Sequence, residues 1–434
     1  MMQEVQNLIP GLPDEIALEC LIRVPYKYHS EIKSVCHGWQ NLISSFSFYE
    51  ERIKSGTAEH LVCQVQPLPP PKDSSSHFIY DCAGRITSSK KEEDEQFPGE
   101  YQNQNNQQHQ QNQQIRYGLT IFNASNQTWE RMNPKNLGKI PMFCQCVAIP
   151  ASRKLLLLGG WDPTTLEPVA DVYVLDMAKS SRWRRAAPMS VARSFFACAV
   201  VGSTRVYVAG GHDNQKNALK SAEVYDVEAD EWKILPEMEE ERDECLGLSW
   251  EGDDKFWVVS GYGTESQGRF KSDAECYDPD TGIWSKIDTL WPFQSISPRG
   301  NTAAVTSNAQ QKQWLWFLTT EQQQLLESQQ QQENEGKKGK FASSIVQLPN
   351  VITGTSSCVT VTTLGICSQN YGKHNQNSQQ QQQQQQKFFV MTGNVAGEGG
   401  FILEKERGGN MKWNHVQIPV GFSGFPYSSS YLLI

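Results

Sequence analysis

A short apolar strand that runs into paired glycines comes back along the chain, each time with the same followers. In its fullest form it reads Val206-Tyr207-Val208-Ala209-Gly210-Gly211, then Tyr225-Asp226, then Trp232. One unit earlier stand Leu155 to Gly160, Leu175-Asp176 and Trp183; one unit later stand Phe256 to Gly261, Tyr277-Asp278 and Trp284. Units of roughly 50 residues with strand-turn-strand content predict a β-propeller, one blade per unit. Glycine permits the tight or positive-φ backbone where the second strand leaves its blade. The recurring Asp fits a turn cap, and the recurring Trp fits a large flat side chain packed between neighbouring blades.

The regular units cover about 142–188, 191–238 and 241–291. An earlier unit lacks the Gly pair but keeps Phe122-Asn123 and Trp129. A fifth, about 297–349, has no Trp at its end. A sixth has Ser357 to Thr363, Lys387 to Thr392, Gly393, Phe401 to Glu404 and Trp413. The expected ring has six blades, with five as the alternative. The first unit opens at His60 on what aligns as its second strand, so its innermost strand is missing. Tyr427 to Ile434 is a spare strand, and we expect it to complete the first blade and close the ring. Polar, Gln-rich inserts at about 88–115, 321–340 and 369–387 bury too little apolar surface to fold alone and are expected to be disordered loops.

Residues 1–55 read differently. Pro13 with Asp14 and Glu15 suits a first helical turn. Ile16, Leu18, Leu21 and Ile22 follow before Val24-Pro25 ends the segment. A second helix is expected over Ser30 to Val35 and a third from Cys36 through Ile43, with Phe48 to Ile53 extending it. So small a helical module leaves apolar side chains exposed unless a partner covers them. A bland alternative is a helical cap on the propeller. The ordered set Leu12-Pro13-Asp14-Glu15, Val24-Pro25, Ser34-Val35-Cys36, Trp39 and Leu42 to Ser45 resembles an F-box, although Tyr26 to His29 replaces the Leu-rich stretch of many F-boxes. The Gly159-Gly160, Gly210-Gly211 and Gly261 units with their Trp positions resemble kelch repeats.

The resemblance implies a mainly β fold: a kelch-type β-propeller over 60–434, preceded by a small α-helical F-box. It implies a Skp1-type adaptor and, through it, a cullin-based ubiquitin ligase, with the chain as the non-catalytic substrate receptor. Adaptor contact falls by motif position on Leu12, Pro13, Ile16, Leu21, Ile22, Val24 and Pro25, with Trp39 and Leu42 serving contact or internal packing. The two modules together are similar to plant kelch-repeat F-box proteins. Ile9 to Pro13, Cys20 to Pro25 and Ile32 to Cys36 resemble the subgroup that binds phenylalanine ammonia-lyase and promotes its degradation, which implies restraint of phenylpropanoid synthesis. Two other classes stay open: a kelch scaffold such as a cytoskeletal binder, and a kelch-type copper oxidase.

Chemistry is sparse. The His residues show no metal-ligand spacing with Cys or Asp, Cys144 and Cys146 share one face of a strand, and the Gly pairs lack the Lys-Ser/Thr of a phosphate loop. No catalytic residue, metal or cofactor is expected. Net charge of −9 argues against a general nucleic-acid binder. No apolar run reaches the ~18 residues of a membrane span, and Met1 to Ile9 lacks a signal-peptide pattern. Eleven scattered Cys fit reduced thiols. A cytoplasmic protein, also present in the nucleus, is expected. For the target surface, Arg193, Arg242 and Arg299 stand before the first strand of three successive units. They are candidates to ring one face against an acidic partner; the alternative is that each ties down its own loop.

Overall fold

A computed structural model describes residues 8–69, 79–80, 86–87, 116–132, 137–179, 182–250, 253–288, 290–306, 312–330, 342–352, 359–365, 387–392, 399–405 and 411–434. Six antiparallel or mixed sheets form the blades of a propeller. Blades two, three and four each have four strands in chain order, Gln145–Ile149 to Trp183–Arg185, Ala197–Val201 to Glu231–Leu235, and Leu246–Leu248 to Ile283–Ile287. The core is divided among the interfaces between adjacent blades. Val208 and Tyr225 of blade three, for example, pack with Leu156 and Val174 of blade two.

The repeat features do what their chemistry predicts. Gly210 and Gly211 have φ of +68° and +83°. A Cβ on Gly211 would lie 2.4 Å from the Ser194 carbonyl oxygen. Ser260, at φ +58°, takes the first Gly position in blade four. Asp176 and Asp226 each accept backbone N–H bonds from the residues two and three further on, and Asp278 accepts one from Asp280. The Trp232 and Trp284 indoles donate to the Ala187 and Pro236 carbonyls, 2.8 Å each, on the segment leaving the preceding blade.

Ring closure follows the expectation. Ser428–Leu433 is the innermost strand of blade one, antiparallel to His60–Pro67, with His60 opposite Leu433 and Val65 opposite Ser428. On the other side, Trp129 of blade one donates to the Gln417 carbonyl at the end of blade six, 3.1 Å.

Blade five departs from the pattern. Its third strand, Ala342–Gln347, runs parallel to Lys312–Leu318, because a helix, Thr320–Gln330, carries the chain back between them. A parallel pair needs such a crossover. This corrects the expectation of a structureless insert from 321 onward. Thr319 and Gln322 form a reciprocal cap, the Thr319 N–H to Gln322 Oε1 at 3.0 Å and the Gln322 N–H to Thr319 Oγ1 at 3.2 Å. Leu326 is buried with Trp291 and Trp314. The insert at 88–115, the rest of that at 321–340, and all but Lys387 of that at 369–387 lie outside the described residues.

Among its described residues the N-terminal module has four α-helices: α1 (Asp14–Leu21), α2 (His29–Ile32), α3 (His37–Ile43) and α4 (Phe46–Lys54). The second is shorter than expected, following a 3₁₀ turn at Tyr26–Tyr28. The fourth is separate from the third, because the Ser45 hydroxyl caps it by accepting from the Phe48 N–H, 3.2 Å. Leu21, Ile22, Ile43, Phe48 and Tyr49 join one core cluster with Leu61, Ile121, Leu157 and Leu175 of blades one and two. The module is therefore packed directly on the propeller.

Candidate functional surfaces

The helices sit on one end of the propeller. Arg153, in the turn between the first two strands of blade two, places its guanidinium 4.8 Å from both the Phe46 and Tyr49 ring centroids. The Tyr26 hydroxyl and the Lys33 ammonium donate to the Met177 and Ala178 carbonyls, in the turn between that blade's last two strands. Glu59 joins three parts. Its carboxylate accepts from the Tyr26 N–H and from Arg52 Nη2 (2.9 Å) on the helical side, and from Asn123 and Asn126 Nδ2 (2.7 Å each) on blade one. Its backbone pairs with the chain's last residue, Ile434. Arg52 also donates to the Ile22 and Val24 carbonyls, both 2.7 Å.

On this module, Pro13 and Ile16 are exposed, Ile16 by 51%, and so is Val35, by 62%. Leu12, Val24, Pro25, Trp39 and Leu42 are half-buried. Leu21 and Ile22 are each 2% exposed, which corrects their assignment to adaptor contact: they belong to the internal core with Ala17, one turn before Leu21 on α1. The Trp39 indole donates to the Leu8 carbonyl at 2.6 Å and pins the segment before α1. Val35 belongs with Ile16 among the large exposed apolar groups that need covering; its place in Ser34-Val35-Cys36 was the available signal.

The opposite end is where the Gly pairs lie and where the chain crosses from one blade to the next. Here Phe143, Phe195 and Glu244 hold the same position in blades two, three and four, all at positive φ (+58°, +57° and +50°). Each precedes an innermost strand, so together they line the blade-two to blade-four side of the channel mouth. Such backbone costs about 1–3 kcal/mol per residue and points to function where it persists. Phe143, Phe195 and Tyr427 contact one another with ring centroids 5.0–5.4 Å apart. His212 stacks on Phe195 at 5.5 Å. Its Nε2 accepts from the Trp161 indole, 3.2 Å, which leaves Nδ1 to donate to Asp243, 2.9 Å. The Tyr262 hydroxyl donates to Glu244 at 3.1 Å, and burial, followed by the adjacent Asp243 charge, pushes the Glu244 carboxyl up.

The three arginines split. Arg193 and Arg242 are fully buried. Arg193 donates to Glu223 at 3.0 Å and to the Gly210 and Ser221 carbonyls; Arg242 donates to Glu275 at 3.0 Å and to the Ser260 carbonyl. Each ties the crossing segment to its own blade, which corrects their assignment to a partner surface. Arg299 is half-buried at the mouth. It donates to the Phe196 and Cys245 carbonyls and lies 5.1 Å from the Tyr427 ring centroid. Arginine position in the repeat did not reveal this mouth; the aromatic residues beside each Gly pair were the signal that sequence reasoning passed over.

Cys144 and Cys146 are buried, and burial pushes both thiols up. Among the described residues no cluster of three or more His, Cys, Asp or Glu is arranged to hold a metal.

Comparison with known proteins identifies the two parts of the chain. An F-box domain model matches residues 9–51, and the KLHDC2/KLHL20/DRC7 Kelch-repeats domain model matches residues 99–345. The chain is 46% identical to F-box/kelch-repeat protein SKIP20 of Arabidopsis thaliana, over 99% of this chain and 97% of that one. It is 42% identical to F-box/kelch-repeat protein At2g44130 of the same plant, over 100% and 97%. The F-box implies binding of a Skp1-type adaptor, and proteins that join it to kelch repeats are generally non-catalytic substrate receptors of Skp1–cullin–F-box ligases. On the strength of full-length similarity and both domain matches, the chain belongs to the plant F-box/kelch-repeat family.

Proposed function

We propose that this receptor takes phenylalanine ammonia-lyase as its target, holds it at the channel mouth, and so restrains phenylpropanoid synthesis. The observation that carries the target is the resemblance of Ile9 to Pro13, Cys20 to Pro25 and Ile32 to Cys36 to the subgroup that acts on that enzyme. The mouth is favoured as the docking surface because it lies on the end away from the helices and carries three non-glycine residues at positive φ. Aromatic anchors and Arg are the residue types that dominate binding energy at interfaces, and Phe195, Tyr427 and Arg299 supply them. The receptor contributes proximity and orientation, bringing the target near a ubiquitin-loaded enzyme. We place it in the cytoplasm and nucleus.

Affinity purification of the tagged protein with the proteasome blocked tests this reading. Ammonia-lyase isoforms are expected among the enriched proteins, and Phe195→Ala should deplete them while the adaptor remains. Leu12→Ala/Pro13→Ala should do the reverse, losing adaptor and keeping target. Enrichment of adaptor without any ammonia-lyase sinks the target and leaves the receptor role standing.

A further inference from the structure

A cleft of about 420 Å³ opens between the helical module and blades one and two. Lys27 and Lys33 line it from the module, Lys179 and Arg182 from blade two, and Tyr26, His29 and Met177 form part of its wall. Among the described residues Glu130 is the one carboxylate on its lining, and Asp176 stands at its edge, 4.0 Å from the Lys179 ammonium. Arg131 also borders the cleft, but its guanidinium points elsewhere, to Gln66, Thr120 and the Gly421 carbonyl. In a chain of net charge −9, four cations around a half-enclosed space are a local reversal of sign.

The arrangement favours an anion from both sides of the module boundary. Lys33 is held by the Ala178 carbonyl, and burial pulls its ammonium down, so a counter-charge in the cleft would stabilise it. Lys27 lies 4.8 Å above the Tyr28 ring, on the surface. Lys179 is mostly exposed, and its 4.0 Å contact with Asp176 is a loose surface pair that an anion in the cleft can replace. The volume is in the range of small-molecule sites, too small for a folded partner. Several converging cations suit an anion with several charges, because each charge-assisted contact adds to the last.

We propose that this cleft binds a small, multiply charged phosphate anion that bridges the helical module to blade two. The bound anion would stiffen the angle between the adaptor-binding end and the propeller. The inference does not rest on which target the receptor takes.

The test uses the full chain in complex with its Skp1-type adaptor, titrated with tripolyphosphate at constant ionic strength and read by calorimetry and thermal unfolding. Saturable binding and a raised melting temperature are expected, with inorganic phosphate weaker. Lys27→Gln/Lys179→Gln should weaken binding by about tenfold or more. Both lysines are surface residues, and retained adaptor binding checks that the variant is folded. Lys233→Gln, an exposed lysine of blade three, should bind as the parent does. Equal stabilisation by sulfate would mean an adventitious ion only and would overturn the proposal. So would no response to tripolyphosphate, or the same loss in Lys233→Gln. Phosphoinositide-bearing vesicles form a second arm: capture by vesicles without a response to the soluble anion would assign the cleft to a lipid headgroup and overturn the soluble ligand.

Discussion

At the mouth end of the propeller, Arg193 with Glu223 and Arg242 with Glu275 repeat one buried ion pair in successive blades. At the helical end, Arg52 and Glu59 form a buried pair that has no counterpart at the other described blades. The first kind locks each crossing to its own blade and is blind to what surrounds the ring. The second joins the module, blade one and the C-terminal residue at a single point, and so fixes the module over blades one and two. A device in register with the repeat serves the framework. A device that breaks register, such as Glu59 or the Glu244 that stands where blades two and three have Phe, carries what distinguishes this protein from a bare propeller.

The strand from Ser428 to Leu433 spans both ends, with Tyr427 at the mouth and Ile434 against Glu59. Removing residues 427–434 should therefore have the largest effect. It deletes the innermost strand of blade one and the fully buried Leu432 and Ile434, each worth about 1.5–3 kcal/mol in burial alone. It also releases the Glu59 backbone. A sharp drop in melting temperature and loss of a single cooperative urea transition are expected. An unchanged melting curve would show that the two ends are held independently of ring closure.

Next in size is Arg242→Met. The substitution strands Glu275 in the core, and breaking a buried pair costs about 3–5 kcal/mol. Adding Glu275→Leu should restore most of the loss, because the deeply buried carboxylate is then gone and Asp273, the second partner of Arg242 at 2.8 Å, keeps its ion pair with Lys286 at 3.0 Å. Urea midpoints of the single and double variants give the comparison. If Arg242→Met melts like the parent, the mouth-end pairs are decoration and the contrast with Arg52–Glu59 falls.

The same pairs show where the sequence could be read and where it could not. Blades two to four were legible because a Gly pair at positive φ, an Asp cap and a Trp leave few other folds open. The arginines were ambiguous, since a position before an innermost strand allows a side chain to point into the blade or out of it. The deciding signal lay on the third strand of the same blade. Glu223 and Glu275 stand three residues before Asp226 and Asp278, in just the units that carry Arg193 and Arg242. Blade two has Tyr173 there and Pro141 in place of the arginine, so the two positions change together. The helix at Thr320–Gln330 was hidden by Gln-rich composition, although Thr319 and Gln322 form a capping box and Leu325-Leu326 supplies a core contact. Leu21 and Ile22 were assigned by motif position alone, which says nothing about the helix face; Ala17 and Leu21, four apart, mark the inner one.

The smallest expected effect probes the helical end through pH. His29 is buried in the module, with Nε2 3.0 Å from the Val24 carbonyl and Nδ1 3.5 Å from the Tyr49 hydroxyl. Burial, then the nearby Arg52 charge, lowers its pKa to about 3. In the unfolded chain the ordinary value is about 6.5. Above that value both states are neutral and His29 adds no pH dependence. As pH falls below it the unfolded chain takes up the proton first, so stability declines until the folded pKa is reached. At pH 5.5 the loss is about 1 kcal/mol relative to pH 7.5. His29→Gln keeps a donor for the Val24 carbonyl and removes the titration. Its stability should fall less than the parent's between pH 7.5 and 5.5, by about that amount. Lys233→Gln, on an exposed position of blade three, should leave the acid slope as it was. Parallel acid slopes for the parent and His29→Gln would mean that the module's attachment is not felt in the unfolding of the whole, and that the two ends of the propeller come apart separately.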